Sequence, residues 1–155
     1  MVEVGGLAPG FTLFDQDRRE RRLGEFRGKK TLLAFFPGAF TSVCTREMCT
    51  FRDSIAELQR LEAQVVGISV NDPWSNKGFA EQNRLGFPLL SDYERRVVRL
   101  YGVPLVDLGL KGYTAAQRAV FILDRDGVVR FKWVSDDPRR EPDYKELSEA
   151  LSQIP

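Results

Sequence analysis

Apolar positions occur along this chain in two textures, unbroken runs and three- or four-residue spacings, and their alternation predicts the elements. The run Thr31-Leu32-Leu33-Ala34-Phe35-Phe36, stopped by Pro37-Gly38, is apolar on both faces, as a central strand covered by helices must be. A second run, Val65-Val66-Gly67-Ile68-Ser69-Val70, has the same texture. Between them Met48, Phe51, Ile55 and Leu58 alternate with Arg46, Asp53, Glu57 and Arg60, which predicts one amphipathic helix from about Ser42 to about Leu61. Strand, helix and strand then form a parallel unit whose crossover is right-handed.

The flanks fill in around this unit. Phe11 to Phe14 and Arg22-Leu23 bracket the polar turn Asp15-Gln16-Asp17, predicting an N-terminal β-hairpin. Asn71-Asp72-Pro73 opens a helix through about Leu85, with proline at an early position where its missing N–H costs nothing. Phe87 to Asp92 reads as an extended link into a helical stretch from Glu94 to Tyr101, followed by a connection from Val106 to Tyr113. Ala119 to Asp124 and Val128 to Val134 are strands joined across Arg125-Asp126-Gly127, and Asp-Gly is a strong hairpin signal. Tyr144, Leu147, Leu151 and Ile154 mark a last amphipathic helix. This order predicts an α/β fold, a thioredoxin-like three-layer sandwich with a central mixed β-sheet and an N-terminal β-hairpin.

At 155 residues the expectation is one domain spanning 1–155 around a single core. Lys plus Arg (23) nearly balance Asp plus Glu (22), and the short charged stretch from Asp17 to Arg22 reads as a hairpin tip, so no footprint for nucleic acid is expected. Met1 to Gly6 carries no leader pattern and no run reaches membrane length, which makes a cytoplasmic protein the expectation. The chain has no histidine, which excludes Ser-His-Asp and Cys-His nucleophiles and imidazole metal sites. Neither a metal nor another cofactor is expected. Two cysteines are too few for a secreted disulfide scaffold, and in a reducing compartment they read as reactive.

The segment that carries chemistry is Phe35-Phe36-Pro37-Gly38-Ala39-Phe40-Thr41-Ser42-Val43-Cys44-Thr45-Arg46-Glu47-Met48-Cys49. Pro37, Thr41 and Cys44, directly after a central strand, resemble the active-site loop of the peroxiredoxin family, with Arg118 matching the family's distant arginine. The resemblance extends to the opening Gly6 to Leu13, to Phe87 to Asp92 and to Tyr101-Gly102-Val103. It implies a thiol peroxidase, an antioxidant enzyme, acting on a hydroperoxide through Cys44. It also implies a peroxide positioned by Arg118, Thr41 and backbone N–H groups near Val43 and Cys44, and Glu47 orienting either Arg118 or a loop N–H. The five-residue step to Cys49 resembles the Q-type, or bacterioferritin-comigratory, branch, which implies that Cys49 resolves the sulfenic acid as an intramolecular disulfide reduced by a thioredoxin-like or other dithiol donor. Pro37 to Thr41 looks more like single-cysteine relatives, and the assembly is a monomer or a homodimer.

Physical chemistry points to the same residues. The first turn of a helix has unpaired N–H groups and the positive end of the dipole, so Cys44 stands where a thiolate is favoured. Arg118 brings a fixed charge and a fork of donors, Thr41 a hydroxyl within reach of thiolate and peroxide, and Pro37 a shield from water. Five residues along a helix is a rotation of about 140° and a rise of about 7.5 Å, so a Cys44–Cys49 bond requires the helix to unwind. Simpler readings stand beside these: Cys49 as a semi-buried structural thiol, Arg118 as a surface ion pair, Glu47 as an ordinary first-turn glutamate. Two other classes compete, a single-cysteine peroxidase resolved by an external thiol and a thioredoxin-like disulfide oxidoreductase, although the latter chemistry goes with Cys-x-x-Cys. A non-enzymatic redox sensor is a third. Gly24 to Thr31 looks like a phosphate loop but has the wrong glycine spacing and no following helix, so it reads as a turn with exposed lysines. The Arg- and Asp-containing tail near Asp136 to Asp143 would suit an interface, a role that charge alone does not assign.

Overall fold

The computed structural model describes residues 2–155, so of the N-terminal stretch read for a leader pattern Met1 lies outside the described residues. The chain runs through β1 (Thr12–Phe14), β2 (Glu20–Arg22), β3 (Lys30–Phe35), α1 (Ser42–Asp53), α2 (Ile55–Arg60), β4 (Ala63–Ser69), α3 (Pro73–Asn83), β5 (Leu89–Ser91) and α4 (Arg96–Leu100). It ends with the two-residue strands β6 (Pro104–Leu105) and β7 (Ala115–Ala116), then β8 (Arg118–Leu123), β9 (Val129–Ser135) and α5 (Tyr144–Ser152). Seven strands make one mixed sheet in the order β2-β1-β5-β4-β3-β8-β9, with β3, β4 and β5 parallel and β8 and β9 antiparallel. No helix among the described residues is long and apolar enough to cross a membrane.

Alternation along β3 explains the layers. Leu32, Ala34 and Phe36 face Met48 and Phe51 of α1, Phe79 of α3, and Leu147 and Leu151 of α5. Leu33 and Phe35 face the other way, onto Val97 and Val98 of α4, Tyr101, and Leu23 and Phe26 of the N-terminal segment. A strand sandwiched in this manner has no polar face, so the unbroken apolar run is the signature of its place at the middle of the sheet. Gly67 in β4 leaves room for its neighbours in the sheet layer: a Cβ there would stand 2.7 Å from Leu89 Cδ2 and 3.3 Å from Phe36 Cε1.

Two expectations, the first and last below, change, and two gain detail. The single helix from Ser42 to Leu61 breaks at Ser54, whose hydroxyl donates to the Thr50 carbonyl at 2.8 Å; the apolar spacing continues through Ile55 and Leu58, so periodicity does not register the break. The link from Phe87 to Asp92 contains β5, which pairs with β4 and reaches the hairpin through Phe14 and Ser91. The connection after α4 is flanked by β6 and β7, paired in a ribbon of their own. In the stretch from Gly24 to Thr31, a 3-10 turn over Leu23–Phe26 leads into β3, and Lys30 is buried with Nζ donating to the Leu151 carbonyl at 2.9 Å.

Candidate active site

Strand direction brings distant residues together at one end of the sheet. β3 ends at Phe35, and the chain turns through Pro37 to Thr41 before entering α1. Because β8 runs antiparallel to β3 with Phe35 opposite Ala119, the first residue of β8, Arg118, lies beside the chain leaving β3. β9 returns antiparallel to β8 with Ser135 opposite Arg118, so the segment after β9 begins at the same place. Cys44 and Glu47, one turn apart, share the face of α1 turned inward, and both are fully buried.

The centre of this constellation is Arg118, buried except for 1% of its surface. Its Nη2 donates to Cys44 Sγ at 3.2 Å and its Nη1 to Glu47 Oε1 at 2.9 Å. The far side of the fork is fixed by the Pro138 carbonyl, which accepts from Nη2 at 2.6 Å and from Nε at 3.2 Å. Burial opposes the charge of this guanidinium, yet Cys44 and Glu47 together hold Arg118 above its ordinary value. Burial pushes the Glu47 carboxyl up to about 7 against the pull of Arg118, and its Oε2 has no hydrogen-bond partner among the described residues. The arrangement presents a sulfur atom at a helix N-terminus to a fixed fork of donors with water excluded.

Pro37 is buried beneath the loop. Thr41 is the N-cap of α1, but its hydroxyl donates to the Gly38 carbonyl at 2.7 Å and not to the sulfur. The bond expected from Thr41 to Cys44 is thus replaced by one that tightens the loop. Cys49, half-buried, faces α3, where its Sγ lies 3.7 Å from Asn83 Oδ1; both cysteines are free. A surface pair for Arg118 is ruled out by its burial, and Glu47 does contact it.

Two contributors escaped the sequence. Asn71, read only as part of a helix start, accepts from Ala39 N–H at 2.9 Å through Oδ1 and so pins the loop to the end of β4. Its position straight after a buried strand end was the available signal. Pro138 acts through its backbone, which leaves no side-chain signature. Phe40, at the loop tip, is exposed in the left-handed region at φ 67° and stands edge-on to Phe79 at 5.4 Å.

Residues 4–132 match the profile of the AhpC/TSA family. The chain is 40% identical over 129 residues to the chloroplastic peroxiredoxin Q of Gentiana triflora, covering 83% of this chain and 58% of that protein, so it spans about three fifths of the length of that plant relative. It is 36% identical over 157 residues to alkyl hydroperoxide reductase E of Mycobacterium bovis, covering 99% of each. Among solved structures, peroxidoxin BcpB from Mycobacterium tuberculosis superposes with a TM-score of 0.86 at 31% identity, over 100% of this chain and 99% of that one.

Proposed function

The chain belongs to the AhpC/TSA family of peroxiredoxins, and from that premise we propose that it is a thiol peroxidase reducing hydrogen peroxide and organic hydroperoxides through Cys44. The observation that carries this reading is the single guanidinium of Arg118 touching both Cys44 Sγ and Glu47, all three buried at the start of α1. The thiolate sulfur attacks the distal oxygen of ROOH; an S–O bond forms and the O–O bond breaks. The electron pair leaves on RO⁻, which takes a proton and departs as ROH or water, while Cys44 becomes sulfenic acid. Arg118 and the unpaired first-turn N–H groups near Val43 and Cys44 meet the charge that develops on the oxygens. Thr41 Oγ1, its proton committed to Gly38, keeps lone pairs to accept a hydrogen bond from the peroxide.

Resolution falls to Cys49, whose thiol attacks the sulfenic sulfur, expels water and leaves a Cys44–Cys49 disulfide that a thioredoxin-like dithiol reduces. Its half-exposed site and its one long contact with Asn83 leave it free to move. The first turns of α1 open in this step, because disulfide geometry is incompatible with the intact helix at this spacing. The orientation of Cys49 toward α3 favours a second reading, a single-cysteine cycle in which an external thiol attacks the sulfenic acid. The cytoplasm, where such thiols stay reduced, is the compartment that fits either cycle. The test is a coupled assay with thioredoxin, its reductase and NADPH: one NADPH oxidised for each peroxide consumed is expected, and no peroxide consumption with either protein dithiols or small thiols contradicts the proposal.

A further inference from the structure

The charged tail after β9 has a geometry that the reaction as described leaves unused. Ser135 and Asp137 form a turn, with Asp137 N–H donating to Ser135 Oγ at 3.2 Å, and the turn delivers the Pro138 carbonyl onto two nitrogens of Arg118. Three residues later Glu141 bridges two elements: Tyr144 of α5 donates its hydroxyl to Oε1 at 2.6 Å, and Arg46 of α1 donates to Oε2 at 3.3 Å. The Tyr144 ring in turn stands edge-on to Phe51 of α1 at 5.7 Å. The segment is therefore fixed at one end to the guanidinium and at the other to the helix that carries Cys44.

We propose that residues 136–142 are a clamp that keeps the Arg118 guanidinium on the Cys44 sulfur, with Glu141 as the positioning residue that latches the clamp between α1 and α5. A fork-shaped donor set has to be aimed as well as charged, and the Pro138 carbonyl fixes the angle that Glu47 alone, bonded to one nitrogen, leaves free. The Arg46 pair is largely exposed and contributes little by itself, so the short, half-buried bond from Tyr144 is the stronger part of the latch. Opening the first turns of α1 for resolution would carry Arg46 away from Glu141 and slacken the clamp, so the latch belongs to the reduced form that meets peroxide.

The proposal rests on Cys44 reacting with peroxide, and its test has one arm that does not. In the parent protein the Arg118 Nε–H, bonded to Pro138, should be a resolved NMR signal protected from solvent exchange. Glu141→Ala should abolish that protection while the amides of Val120 to Ile122 stay protected, and should slow single-turnover oxidation of Cys44 about tenfold. Glu141→Gln, which keeps an oxygen for Tyr144, should restore both within about twofold; Tyr144→Phe, which keeps the ring, should resemble Glu141→Ala. Retained Nε–H protection in Glu141→Ala, a parental oxidation rate once protection is lost, or exchange that rises equally throughout β8 overturns the clamp. A parent protein inert to peroxide overturns the peroxidase reading instead, and the exchange arm still decides the clamp.

Discussion

Cys44 and Cys49 stand five residues apart on one helix, and their surroundings differ in nearly every physical respect. Cys44 is fully buried at the N-terminal turn, receives a donor from a buried arginine, and shares that arginine with a buried carboxylate and a backbone carbonyl. Cys49 is half-buried, faces the end of α3 and has one long contact with an amide oxygen. The difference teaches that reactivity on this helix is set by what the sheet delivers to each face. Strand pairing brings the buried Arg118 to the face of Cys44, whereas the guanidinium nearest in influence to Cys49 is the part-exposed Arg52 of its own helix, paired with Asp53 and the Asn83 carbonyl. One thiol is held in a fixed electrostatic setting; the other is left able to travel.

The largest expected effects come from the sulfur atoms themselves. Cys44→Ser should abolish peroxide consumption, whereas Cys49→Ser should oxidise at Cys44 within about twofold of the parent rate and then stall and over-oxidise. Stopped-flow peroxide traces beside peptide mass spectra would separate the two, and equal losses in both variants would erase the contrast. Next comes the donor. Arg118→Lys keeps the positive charge and loses the fork, so single-turnover oxidation should fall about 100- to 1,000-fold, the cost of one transition-state donor, with no change in the alkylation rate of Cys49. Oxidation within a few-fold of the parent would remove Arg118 from the reaction.

The carboxylate gives a smaller, pH-dependent effect. Burial raises Glu47 from 4.5 to about 7, so the folded protein holds this proton more tightly than the unfolded chain does. That preference stabilises the fold fully below about pH 4.5, is lost as pH rises toward about 7, and stays lost above it. Relative to Glu47→Gln, which does not titrate, the parent should therefore lose about 3 kcal/mol of stability across that window, measured by urea unfolding at each pH. A difference that stays flat or grows with pH contradicts the assignment. Smallest of all, Asn83→Ala should leave Cys44 oxidation unchanged and speed Cys49 alkylation about two- to threefold, because it removes one weak neighbour in a half-exposed site. If it slows Cys44 oxidation, the two faces of the helix are coupled more closely than their contacts suggest.

Much of this contrast was legible in the sequence. Unbroken apolar runs identified β3 and β4, Asp-Gly placed the turn after β8, and the four residues singled out in sequence, Pro37, Thr41, Cys44 and Arg118, lie at one end of the sheet. What escaped has physical reasons. β5 is only three residues long and fully buried, so it offers no alternation to read. The break at Ser54 interrupts hydrogen bonding without interrupting apolar spacing. The hydroxyl of Thr41 has a local acceptor in the Gly38 carbonyl, and composition does not decide between that partner and the sulfur. Lys30 was read as exposed because lysine seldom has a buried acceptor, and here the end of α5 supplies one. The Pro138 carbonyl and Asn71 act through contacts whose meaning depends on strand register.

The most direct test is to treat the reduced protein with one equivalent of hydrogen peroxide, quench by alkylation and map both cysteines by mass spectrometry, in parallel with Cys49→Ser. The account requires a loss of two hydrogens with a Cys44–Cys49 cross-link in the parent, and a single added oxygen on Cys44 in the variant. Oxygen on Cys49 with Cys44 alkylated would contradict it.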